Sequence, residues 1–120
     1  MLRYTNCWPT EFEVQAILYI KFKKYFKQHN LKYDIKGEAK IKPYGIFDLI
    51  IINSDKDVVC IIEVKNNKNG KYNGKVQLAK YKSSGLPVFL CANHLNVSSI
   101  FDEVITALRE GKSTLREGGL

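Results

Sequence analysis

The chain has 120 residues, 45% of them hydrophobic and 12% aromatic, with a formal net charge of +7. That length suits a single domain with a packed core; no apolar run approaches a bilayer span, and the start MLRYTNCWPT lacks the basic-then-apolar layout of a secretory signal. The basic balance favours polyanionic partners, nucleic acid before an acidic membrane surface, while three cysteines without CxxC spacing, and the isolated His29 and His94, give no zinc pattern and fit a cytoplasmic setting.

Residues 10–28 read as the first helix. Thr10 is a good N-cap, and Glu13 three residues later completes a capping box. Phe12, Val14, Ala16, Ile17, Leu18, Tyr19, Ile20 and Phe26 make this helix apolar around much of its circumference, so it is expected to be largely packed against a sheet. Glu11, Gln15 and Leu18 share one face. Lys21, Lys23, Lys24 and Lys27 read as a solvated face at its end. Residues 31–42 read as an edge-like strand, with Gly37 as its bulge. Glu38 on that strand is either an extra acid beside the next strand or, the favoured reading, an edge charge that discourages aggregation.

Residues 45–65, GIFDLIIINSDKDVVCIIEVK, hold the chemistry. Two β-branched runs, 46–52 and 58–64, read as strands joined by a polar turn. Each contains an acid where a buried strand should have none, Asp48 in the first and Glu63 in the second. Burying a carboxylate without compensation costs several kcal/mol. A two-residue loop at Asp55-Lys56 pairs Ser54 with Asp57, Ile52 with Val59 and Asp48 with Glu63; a one-residue slip would send one acid to the other face. In that register the facing carboxylates lie about 5 Å apart, with Lys65 on the same face. Two close carboxylates repel unless a cation sits between them. All-oxygen ligands suit Mg²⁺, Mn²⁺ or Ca²⁺, and such an ion with open positions activates water for phosphodiester hydrolysis. The competing reading is a cross-strand salt bridge between Lys65 and one of the acids.

Residues 66–75, NNKNGKYNGK, read as a loop whose Lys68, Lys71 and Lys75 are placed to contact a phosphate backbone. Tyr72 there either stacks on a base or is an ordinary turn tyrosine. Residues 76–84 read as a helix stopped by Gly85, with Gln77 and Tyr81 on one side. Residues 87–92, PVFLCA, read as a buried strand reached by a helical crossover and therefore parallel. Residues 97–110 read as a last helix with Ile100, Phe101, Val104, Ile105 and Leu108 as its core stripe. Residues 111–120 read as a frayed tail or the cut edge of a longer protein.

Asp48 followed by Glu63-Val64-Lys65 resembles the D…ExK pattern of the PD-(D/E)xK nuclease superfamily, with Phe47 where the family name has Pro. Gln77-Leu78-Ala79-Lys80-Tyr81 matches the QxxxY pattern of its RecB-like branch. The likeness covers roughly residues 10–108, and similar modules stand at the start of type I restriction-enzyme motor subunits. It implies an α/β, restriction-endonuclease-like core in the order α-β-β-β-α-β-α, a central mixed sheet flanked by helices. It implies metal-dependent hydrolysis of DNA, endonuclease rather than exonuclease, in a restriction or repair setting. Asp48, Glu63 and the Val64 carbonyl would hold Mg²⁺ or Mn²⁺, Lys65 would assist the attacking water, and Gln77 would lie over the site, with Tyr81 in support beside the substrate. In many relatives a glutamate of the first helix joins the ion; Glu11 is the better candidate here and Glu13 the second. The other reading of Glu11 is a first-turn acid on the helix dipole. A homodimer or a larger host protein is compatible with the size. The alternative function is a nucleic-acid-binding module of the same fold without catalysis.

Overall fold

The computed structural model describes residues 1–5, 8–66 and 83–111. Helix α1 (Glu11–Gln28) is followed by β1 (Asp34–Ile41), β2 (Gly45–Ile52), β3 (Val58–Val64), β4 (Val88–Cys91), a 3₁₀ turn (His94–Asn96) and helix α2 (Val97–Glu110). The four strands form one mixed sheet in the order β1-β2-β3-β4, antiparallel except for the parallel β3–β4 pair. The α/β class, the mixed sheet and the parallel last strand agree with the sequence reading. The helix expected over 76–84 falls almost wholly outside the described residues.

Helix α1 begins as its cap chemistry dictates. The Thr10 hydroxyl accepts from the Glu13 N–H at 3.1 Å, and a Glu13 carboxylate oxygen accepts from the Thr10 N–H at 2.9 Å. The hydrogen bond from the Thr10 backbone holds the Glu13 carboxyl below its ordinary value. Val14, Leu18, Phe22 and Phe26 turn one stripe inward. Against them pack Ile35, Leu49, Ile51, Cys60, Ile62, Val64 and Cys91 from the sheet and Val97, Ile100, Val104 and Ile105 from α2. Both described helices therefore cover the same face. Burial pushes the Cys60 thiol up to about 12 and the Cys91 thiol up to about 11, as expected of cysteines that act as small apolar residues. The opposite face carries a second apolar cluster of Phe47, Ile50, Ile52 and Ile61.

The expectation that α1 is buried around most of its girth is corrected. Phe12 is 78% exposed and Ile20 62%, and Ile17 also faces outward. A helix on one sheet face can bury only the stripe it turns inward.

The turn between β2 and β3 also differs from expectation. Ile52 pairs with Val58, not Val59, and the loop is three residues long rather than two. The Asn53 N–H donates to the Asp57 carbonyl, and the Lys56 N–H donates to the Asn53 carbonyl. The Asn53 side-chain oxygen accepts from the N–H groups of Asp55 and Asp57, which fixes the loop locally. Lys56 takes up the left-handed residue with φ 71°, the conformation that closes a three-residue hairpin loop. The extra loop residue shifts the register by one. A bulge between Ile51 and Ile52 shifts it back, so Ile51 pairs with Cys60, Ile50 with Ile61 and Leu49 with Ile62. The register over Leu49–Ile51 is thus the one that a two-residue loop implied, reached by a different turn; the paired ladder stops at Leu49–Ile62, one step before Asp48 and Glu63. Because a side chain at φ 71° is strained, Lys56→Gly is expected to stabilise the protein by about 0.5–1 kcal/mol. Urea denaturation checks this; no gain would show that the loop is not held as described.

Candidate functional site

The site is built where β1 and β2 lose their regularity together, beside the end of β3. On β1, Ile35 faces the helices whereas Ala39 and Ile41 pack on the opposite face. On β2, Leu49 faces the helices whereas Phe47 packs opposite. Strict alternation would put each such set on one side. The break falls at Glu38, in the left-handed region with φ 51°, and at the residue across from it, Asp48. The bulge expected at Gly37 is not formed: the β1–β2 register is the same on either side, and the irregularity is the left-handed Glu38 one residue later.

At this break the Asp48 carboxylate reaches across to β3. Its Oδ2 accepts from the Val64 N–H at 2.8 Å. The β2–β3 ladder ends at Leu49–Ile62, and one more step in that register places Asp48 opposite Glu63. Glu63 shares its strand face with Ile61 of the second cluster, two residues before it. It is 2% exposed and is the one charged side chain in the buried core among the described residues. Glu63 has interaction partners, and its Oε2 oxygen is nonetheless buried and accepts no hydrogen bond. Lys65 follows on the same face and is half-buried; its N–H donates to the Cys91 carbonyl at 2.8 Å, which anchors the strand end to β4. The Val64 N–H points the other way, towards Asp48. A strand residue's N–H and C=O point to the same neighbour, so the Val64 carbonyl also faces the β2 side.

Helix α1 buttresses this point. The Gln15 amide donates to the Asp48 carbonyl at 3.1 Å and to a Glu38 carboxylate oxygen at 3.1 Å. Gly37 leaves room for it: a Cβ there would stand 3.4 Å from the Gln15 amide nitrogen. Asn66 donates to the Pro9 carbonyl, tying the chain after Lys65 to the start of the same helix. Gln15 is the site residue that the sequence reading did not assign. The available signal was its polarity within an apolar helix, one turn after Glu11.

The other sequence candidates divide as follows. Asp48 is joined to the Val64 backbone, and Glu63 and Lys65 flank Val64 along β3. Glu11 is exposed, one helical turn before Gln15, and among the described residues no three Asp, Glu, His or Cys side chains gather as metal ligands. Glu13 serves the helix cap. Glu38 is held by Gln15 beside Asp48 rather than standing as an isolated edge charge. Gln77, Tyr81, Tyr72 and the substrate-contact candidates Lys68, Lys71 and Lys75 lie outside the described residues.

Two carboxylates and a backbone carbonyl from adjacent strands form a set of hard oxygen donors. Mg²⁺ characteristically takes one or two carboxylates and fills its remaining positions with water and substrate phosphate oxygens. The donor set fits such an ion better than it fits zinc, whose sites are built mostly from Cys sulfur and His nitrogen. When the chain is compared with family models, curated proteins and solved structures, none of them matches. No helix among the described residues is long and apolar enough to cross a membrane.

Proposed function

We propose that this chain is a divalent-cation-dependent nuclease domain that hydrolyses phosphodiester bonds in DNA, of the PD-(D/E)xK kind. The observation that carries the reading is a carboxylate 2% exposed within a sheet, Glu63, one ladder step from a pair that aligns it with Asp48, with Lys65 two residues on. A buried acid at that place costs several kcal/mol, a cost that a cation-binding role explains.

Bound Mg²⁺ or Mn²⁺ would polarise the scissile phosphate and lower the pKa of a water. Asp48 and Glu63 would hold the ion from two strands, with the carbonyl of Val64, next to Glu63 in sequence, as a further ligand. The Val64 N–H fixes one Asp48 oxygen, so that carboxylate is oriented before an ion arrives. Gln15 holds the Asp48 backbone in place. Lys65 orients the attacking water and offsets negative charge that builds on the phosphoryl oxygens. The water oxygen would form a bond to phosphorus as it gives up a proton to solvent, and the opposite P–O bond would break, its oxygen taking a proton from solvent to leave a hydroxyl end. In this reading Gln77 and Glu11 would complete the shell around the ion, with Tyr81 in support, and Lys68, Lys71 and Lys75 would contact the DNA backbone. Endonucleolytic action, a cytoplasmic setting, and assembly as a homodimer or within a larger restriction or repair protein belong to the same proposal.

A nucleic-acid-binding module without catalysis is the second reading. The absence of a third metal-ligating side chain among the described residues favours it. Cleavage separates the two. With Mg²⁺ or Mn²⁺ the purified protein is expected to cut single-stranded, duplex, flapped or branched DNA, and Lys65→Ala to slow this by about 10²–10³-fold, as loss of a charge-stabilising donor does. No cutting of any of these above the Lys65→Ala background would remove the catalytic reading.

A further inference from the structure

A large concavity lies away from Asp48 and Glu63, between the last turns of α1 and the start of β1. It is open and measures about 680 Å³. Its apolar wall is Tyr19, Ile20, Phe26 and Tyr33, and Lys24 and Lys27 stand at its rim. A third lysine, Lys23, is committed: it donates to Asp34 at 2.6 Å, and Lys36 approaches the other Asp34 oxygen at 3.3 Å. These two lysines neutralise the one acid in the groove. Lys24 and Lys27 make no ion pair among the described residues. The groove thus sets an aromatic and aliphatic wall, with Lys23 over the Tyr19 ring at 5.4 Å, beside two lysines whose charge is not offset by an ion pair among the described residues.

We propose that this groove binds a strand of single-stranded nucleic acid, with a base against the Tyr19, Ile20 and Tyr33 wall and phosphates on Lys24 and Lys27. The chemistry selects among polyanions. In a duplex the base faces are covered by stacking, whereas single strands present them to aromatic walls, with lysines tracking the backbone. A second copy of this chain is disfavoured by its charge of +7. The groove also lies on the helix that holds the candidate site. Gln15, which touches Asp48, is nine residues before Lys24 and twelve before Lys27, about 14 to 18 Å along the helix. One strand can therefore occupy the groove while a neighbouring segment lies at Asp48. The proposal rests on the nucleic-acid part of the nuclease reading and not on catalysis.

The test measures binding of a labelled single-stranded oligonucleotide in EDTA, where no cleavage interferes, using the full chain and Asp48→Asn. Both are expected to bind. Lys24→Ala/Lys27→Ala, two exposed substitutions, is expected to weaken binding at least tenfold and to reduce the slope of log K against log salt by about 1.4, roughly 0.7 for each phosphate that a lysine no longer neutralises. A variant-free arm uses the same backbone with abasic positions, expected to bind at least fivefold more weakly because no base stacks on the wall. The proposal is overturned if the double variant binds within twofold of the parent, or if the abasic strand binds as well as the intact one. Equal displacement by poly-glutamate, or no binding in EDTA, also overturns it. Failure to cut DNA with this binding intact would sink the nuclease reading and leave the groove standing.

Discussion

Asp48→Asn is expected to lower metal-dependent cleavage by about 10²–10³-fold, several kcal/mol of transition-state stabilisation, while leaving the fold nearly as stable as before. The separation follows from the two tasks this carboxylate performs. Structurally, its Oδ2 accepts from the Val64 N–H at 2.8 Å. An asparagine oxygen can accept the same hydrogen bond. Chemically, it supplies negative charge to a cation, which an amide does not. Asp48→Ala loses both, leaves the Val64 N–H without its acceptor, and is expected to cost about 1–3 kcal/mol of stability as well. Cleavage assays combined with urea denaturation distinguish the three proteins. Equal cleavage by the parent and Asp48→Asn would mean that Asp48 only fastens β2 to β3.

The second large effect is on stability. Phe22 is fully buried, its ring centroid 4.8 Å from that of Phe101 on α2 and 5.8 Å from that of Phe26. It joins α1, α2 and the sheet in one cluster. Phe22→Ala is expected to cost about 3–5 kcal/mol, because apolar burial is removed and a cavity is left behind. Against a total of about 5–15 kcal/mol for a typical domain, that is enough to unfold much of the protein at moderate urea. Ile20→Ala, two residues away on the exposed side, is expected to change stability by less than about 0.5 kcal/mol. Urea midpoints for the two variants measure which stripe of α1 faces the sheet. Similar losses would contradict the placement.

That contrast shows where sequence patterning stops. Val14, Leu18, Phe22 and Phe26 repeat at four-residue spacing, but Phe12, Ile17 and Ile20 are as apolar, so hydropathy cannot say which stripe meets the sheet. The strands were more legible, because β-branched runs with polar turns between them leave few alternatives. The register of Leu49–Ile51 against Cys60–Ile62, which leads towards Asp48 and Glu63, followed from counting back from the turn. The turn itself is a three-residue loop with Lys56 left-handed, and the Ile51/Ile52 bulge cancels the shift. Neither device has a glycine to announce it. The break at Glu38 was hidden for the same reason: Gly37 drew attention, while the left-handed residue is its neighbour. Gln15 escaped because a lone glutamine on a helix reveals its partner only when the Asp48 carbonyl is placed in space.

Where a divalent ion binds tests the nuclease reading most directly. A crystal soaked with Mn²⁺ is predicted to show one anomalous peak between the carboxylates of Asp48 and Glu63, at roughly 2.1 Å from an oxygen of each, and no such peak for Asp48→Asn. A soaked crystal with no ion there, or with Lys65 closed onto both carboxylates in its place, would contradict the reading and leave a salt bridge where we place a metal site.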